Sequence, residues 1–325
     1  MSTTERGSAT GSWWRLGRDG WQSVLGSAAQ EFTRDELPTF AGQVTLRIVL
    51  ALVPSLIAGV AIAAQLVDPA DIEELVGSAD DLIPGENAQA FVQTQLQNAL
   101  GELRDGGPWA IALSILVGLF AATGAAAALI NALNKAYGVE EARGIVSQRV
   151  AALVVVAALG LSLAGMFIAI VLGPTLIGWL VPDRLMEPPL RWLITAGRYA
   201  VAVVILMGFF GFTFWFAPHR ERHRIRFLTP GAVVGVIGWL VLSWLFGLYV
   251  TFTRTYAETY GSVAGVIVLL VWLNYSFMLL LAAAELDHEI ERHLDRAEQA
   301  DPAPAATRTR LRAARRGKMG AGRSG

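Results

Sequence analysis

The chain of 325 residues has no cysteine. That removes disulfides, thiolate metal sites and cysteine nucleophiles, and it leaves the redox compartment open. Lysine is almost missing as well. Lys135 and Lys318 are the only two, and arginine carries the rest of the positive charge. With the abundant alanine and glycine, this usage suggests a GC-rich bacterial genome. Charge of either sign is scarce: Asp, Glu, Lys and Arg make up 16% of the chain, against about 25% in soluble domains. There is no Walker A motif, no Gly-rich dinucleotide fingerprint and no G-x-S-x-G, so coupling to bound ATP has no support and no catalytic residue, cofactor or metal is assigned. The N-terminus stays polar up to Pro38, without a short apolar stretch and cleavage site. No removable signal peptide is expected, and the first apolar helix serves as the targeting signal.

What is present is hydrophobic length. Residues 231–252 and 263–284 are free of charge, and a short polar connector joins them. Each run can cross a hydrocarbon core of ~30 Å at 1.5 Å per residue, so the two form a hairpin across a bilayer. Further runs give an all-α polytopic membrane protein with six transmembrane helices at about 40–67, 109–133, 150–174, 192–217, 231–252 and 263–284. Residues 1–38 form an N-terminal segment, 39–290 the membrane domain, and 291–325 a basic, disordered tail.

Local signals refine this picture. Trp14, Trp21, Leu25, Ala28 and Phe32 recur at helical spacing. They predict an amphipathic helix, lying either in the membrane interface or on the cytosolic ends of the bundle. Pro54 kinks the first span. Residues 68–108 form an acidic loop with one or two amphipathic helices resting on the bundle. Gly118, Ala122, Gly124 and Ala128 allow close helix contact in the second span. Gly173-Pro174 breaks the third. Basic residues concentrate in the second-to-third loop, the fourth-to-fifth loop and the C-terminal tail. The positive-inside rule then makes both termini cytoplasmic. Arg220, Arg222, Arg224 and Arg226 are placed to attract anionic lipid. Nucleic acid is not an expected partner, because stacking aromatics do not interleave with these arginines. Homo-oligomerisation and an envelope partner protein both stay open.

Charged and polar residues inside spans are the candidate substrate or gate residues. An arginine at the centre of a span costs about 2.5–3.5 kcal/mol. Arg47 either snorkels to headgroups or pairs with Glu285 at the end of the sixth span, as a clasp, a gate or an anion site. Arg198 either snorkels outward or faces an anionic cargo. Asn274, Tyr275 and Ser276 are consecutive, so one of them must face a neighbouring helix or cavity. Tyr249, Tyr256, Tyr260 and Trp272 cluster at the outer end of the hairpin, as an interfacial belt or as the lining of an amphiphile path. His219 and His223 stand one helical turn apart, but Arg220 occupies the glutamate position of H-E-x-x-H. His288 and His293 lie in a run of acids. A metal or nuclease site is imaginable from these groups, but a charged helix leaving a bilayer accounts for them more simply.

Several pieces together resemble the YihY/BrkB family of bacterial inner-membrane proteins, over about residues 30–290. They are Phe40-Ala41-Gly42 with Leu52-Val53-Pro54, then Ala132-Leu133-Asn134 with Tyr137-Gly138-Val139 and Arg143. Thr229-Pro230-Gly231-Ala232 follows, and last come Tyr249, Tyr260-Gly261, Trp272 and Ala284-Glu285. Ala51 stands where serine is common and Ala283 where glycine is usual. The resemblance implies a virulence-factor label, an old ribonuclease label and, for some members, envelope lipid handling. It brings no catalytic residues. The resulting expectation is a transporter, flippase or translocation component for a lipid or other amphiphile, not an enzyme. The alternatives are a structural or assembly protein without cargo and, third, a cytoplasmic-face ribonuclease.

Overall fold

The computed structural model describes residues 17–63, 86–174, 177, 188–220, 229–252 and 263–300. Seven α-helices make up the described residues. They are α1 Arg18–Arg34, α2 Leu37–Ala63, α3 Glu86–Ala136, α4 Ile145–Phe167, α5 Pro188–Phe216, α6 Pro230–Phe252 and α7 Val263–Ala300. A single π-helical turn, Ile168–Leu172, extends α4. Six of the seven, α2 to α7, are long and apolar enough to cross a membrane.

Two boundaries differ from the sequence reading. The helix expected within the acidic loop is continuous with the second span, so α3 runs for 51 residues with Pro108 inside it. Pro108 lacks an N–H, but it does not end the helix, as membrane helices often allow. The third span does not break at Gly173-Pro174. It loosens into the π-turn just before them and stays helical through Pro174.

The spans close into a ring. Each packs on the next in chain order, and α7 returns to α2. The α2–α3 seam is tightest where Gly118 lies against the Pro54 carbonyl and Ala58, with no room for a side chain on the glycine. The main core cluster lies where α2 begins and α7 ends. Leu37, Val44, Ile130, Leu133, Tyr137, Phe214, Ala232 and Leu281 meet there. Packing thins towards the other end. Among the described residues no side chain of α6 beyond Val236 is buried, and none of α7 before Ser276. α4 likewise turns large side chains such as Leu161 outward, 77% exposed.

The helix α1 takes the second of its two predicted positions: it lies on the end of the bundle. Val24 and Ala28 pack against Leu286 and Ile290 of α7, flanked by Trp21. Leu25 points outward, so the buried stripe runs through Val24 instead. Trp14 lies outside the described residues.

Candidate functional site

Every helix end that arrives at the packed end brings unsatisfied backbone groups into a dry place. The sequence meets this need with side chains. Thr229 caps α6: its Oγ1 accepts the Ala232 N–H at 3.1 Å. Pro230 opens the helix, a position that needs no N–H donor. Gly231 brings α6 against α7, where a Cβ would collide with the Ala283 carbonyl and Asp287. The Gly231 N–H donates to Asp287 Oδ1 at 3.1 Å, so a carboxylate from one helix faces the positive end of another. The Tyr137 hydroxyl donates to the other oxygen of Asp287 at 3.2 Å. Burial, then the Asp287 charge, push the Tyr137 hydroxyl well above its usual pKa and keep it a donor.

The C-terminus of α5 is closed in the opposite sense, by cations. Arg143 donates to the carbonyls of Ala217 at 3.0 Å and Phe216 at 3.4 Å. Arg220 donates to the Phe214 carbonyl at 2.8 Å and pairs with Glu291 at 2.7 Å. Its guanidinium also lies 3.8 Å over the Tyr137 ring. Asn134 links the two loops: its Nδ2 donates to Glu141 at 2.8 Å, and its Oδ1 accepts the His219 N–H at 2.8 Å. Gly138 makes the turn behind Tyr137 with φ of 60°. The motif pieces at residues 132–143 and 229–232 therefore converge on one polar seal.

The structure places the predicted residues as follows. Glu285 lies at the packed end of α7, 2% exposed, and its Oε2 has no hydrogen-bond partner. It does not pair with Arg47. Gly42 of α2 faces Asn274 of the antiparallel α7, which puts Arg47 level with about Leu269, ~24 Å along the axis from Glu285 at 1.5 Å per residue. Arg47 is exposed, with no partner among the described residues. Asn274 does face a neighbouring helix, at Gly42, and Ser276 is buried, while Tyr275 points outward. Trp272 is not in a cluster with Tyr249. It packs edge-on to Trp239 at 5.7 Å, and Tyr249 lies 5.8 Å from Phe246. Tyr256 and Tyr260 lie outside the described residues.

Arg198 has a structural explanation. Pro174 has no N–H to give to the carbonyl four residues back, that of Ile170. Arg198 Nη1 donates to that carbonyl at 3.4 Å from α5, while its Nε is buried without a partner. Of the four arginines expected to meet lipid, Arg220 is committed inside the seal, and Arg222, Arg224 and Arg226 lie outside the described residues, as does His223. The described histidines are dispersed, and among the described residues no group of three His, Asp or Glu could hold a metal. His288 packs edge-on to Tyr137 at 5.9 Å.

Sequence reasoning missed Asp287, which it passed over as one acid in a solvated run. Asp287 and Glu289 are 1% and 4% exposed. The signal was Leu286 and Ile290, one helical turn apart inside the charges, which mark a packed face on this stretch of α7.

A ring of six apolar helices, closed at one end by such a seal, defines an integral membrane protein. The chain belongs to the family described as Virulence factor BrkB, whose family model matches residues 28–308. It is 28% identical to the putative ribonuclease-like protein YfkH of Bacillus subtilis (strain 168), over 82% of this chain and 94% of that one. It is 31% identical to the UPF0761 membrane protein IL2447 of Idiomarina loihiensis, over 29% of this chain and 32% of the relative. A UPF0761 membrane protein of Xanthomonas oryzae pv. oryzae is 35% identical over 19% of this chain and 15% of its own length. No solved structure matches.

Proposed function

We propose that the protein is a transporter, flippase or translocation component for a lipid or other amphiphile of the bacterial envelope. It sits in the cytoplasmic membrane with both termini inside, and it carries no catalysis of its own. The observation behind this reading is the uneven packing of the ring. α6 and α7 are joined tightly through the seal, yet away from it their side chains stay partly or fully exposed. A helix pair held at one end and loose at the other suits alternating or lateral access better than it suits a rigid scaffold. Arg198 beside the π-turn gives the loose half a fixed cation, and single-turn π-bulges recur at functional sites.

The scaffold reading draws on the seal itself, which fastens helix ends to one another. The ribonuclease-like name of the Bacillus relative suggests a third reading, and it would need Glu285, His288 and His293 to act on RNA. The test is transfer of fluorescent phospholipid between leaflets of proteoliposomes, with wild type, Arg47→Ala and Arg198→Ala compared after a folding check. Transfer that is lost in a folded arginine variant supports the lipid path. Wild-type transfer no faster than in empty vesicles favours the scaffold.

A further inference from the structure

One face of α2 is left uncovered by the ring. Its other faces meet α3 at Pro54 and Ala58, α7 at Gly42, and the core through Ala41, Val44 and Ala51. The uncovered face carries Thr39, Gln43 and Arg47, and Glu36 stands in the turn just before it, with φ of 53°; all four are exposed. At 3.6 residues per turn Thr39, Gln43 and Arg47 fall on one stripe, and Glu36 precedes it at the N-terminal end of α2. Leu46 and Leu50 are exposed beside them, 57% and 68%, as lipid-facing residues are. None of the four side chains has a partner among the described residues. The stripe begins where α2 begins and ends at an arginine within the span Leu37–Ile62.

The order of charge along the stripe is informative. The carboxylate is at its mouth, two neutral hydrogen-bonding groups follow, and the cation is deepest. Thr39 and Arg47 are ~12 Å apart along the axis at 1.5 Å per residue, and Glu36 lies beyond Thr39. Helical side chains lean towards the N-terminus, so the guanidinium is directed back over Gln43 and shortens this gap. A phospholipid with an outermost primary amine has the complementary order, its phosphate lying deeper than its ammonium. Arginine binds phosphate with two parallel hydrogen bonds, and a carboxylate accepts from a primary ammonium. A choline head has no N–H to give Glu36, and a glycerol head brings no positive charge to it.

We propose that Glu36, Thr39, Gln43 and Arg47 form a headgroup site for phosphatidylethanolamine on the outward face of α2, with the phosphate on Arg47 and Gln43 and the ammonium towards Glu36. The site deepens the lipid reading above, but it rests on the membrane placement of α2 and not on transport. A chain that binds this lipid and moves none would keep the site and lose the transport reading.

The experiment is native mass spectrometry of the full chain released from nanodiscs made of equal phosphatidylethanolamine, phosphatidylglycerol and phosphatidylcholine. Wild type is expected to retain phosphatidylethanolamine over the other two, Arg47→Leu to lose that retention, and Glu36→Gln to shift it towards phosphatidylglycerol. All these positions are exposed, and thermal melting checks folding. If Arg47→Leu does not fold, Arg47→Lys keeps the charge without the fork and is expected to retain less. Equal retention by wild type and a folded Arg47 variant overturns the proposal, as does wild-type selection of phosphatidylglycerol. Release of the retained lipid by millimolar inorganic phosphate would assign the site to free phosphate and overturn it too.

Discussion

Asp287 is the residue on which the seal depends. It accepts from Tyr137 and from the Gly231 backbone at once, so it joins the α3 end, the α6 start and α7. Tyr137→Phe removes one donor and leaves a buried oxygen less satisfied, which should lower stability by about 1–3 kcal/mol. Thr229→Ala, a lost N-cap, should cost about 1 kcal/mol. Melting in detergent measures both, and a double-mutant cycle of Tyr137→Phe with Asp287→Asn should be non-additive because the two share a bond. Glu285 behaves differently. It is buried with an unpartnered oxygen, so Glu285→Gln, a neutral group of like shape, should leave the melting temperature unchanged or raise it. A clear drop would show that the carboxylate is needed as a charge. At this scale the sequence was legible in part. Tyr137, Arg143 and Thr229 stood out through family resemblance, but their meeting point did not, because Asp287 is separated from Tyr137 by 150 positions.

At the scale of elements, α4 and α5 are coupled through a missing hydrogen bond. Pro174 cannot donate to Ile170, and Arg198 does. Arg198→Leu should therefore destabilise the wild-type chain more than a Pro174→Ala chain, where the backbone regains its own donor. Equal effects in both backgrounds, read from melting, would break this account. The helices themselves were readable from hydrophobic length and lack of charge. Their ends were not. Pro108 and Gly173-Pro174 looked like breaks, because proline ends helices in water, whereas without water the backbone must keep its hydrogen bonds. The charged end of α7 looked solvated because composition alone does not reveal that α1 covers it.

Among the described residues the molecule is asymmetric, sealed where α2 begins and more loosely packed towards the opposite end. The natural absence of cysteine makes this testable without background. Single cysteines in place of Ser147, near the sealed end, and Thr195, near the open end, should be labelled by an impermeant maleimide from opposite sides, with Ser147 protected in intact cells and Thr195 reactive. Labelling of Ser147 from outside would invert the proposed topology. The central claim remains that the loose half of the ring carries a lipid or other amphiphile. Its most direct test is the rate at which dithionite-protected fluorescent phospholipid becomes accessible in proteoliposomes of the wild-type chain. The account predicts a rate well above that of empty vesicles, and a lower one for folded Arg198→Ala. A wild-type rate equal to that of empty vesicles, with protein shown to be folded and inserted, would contradict it.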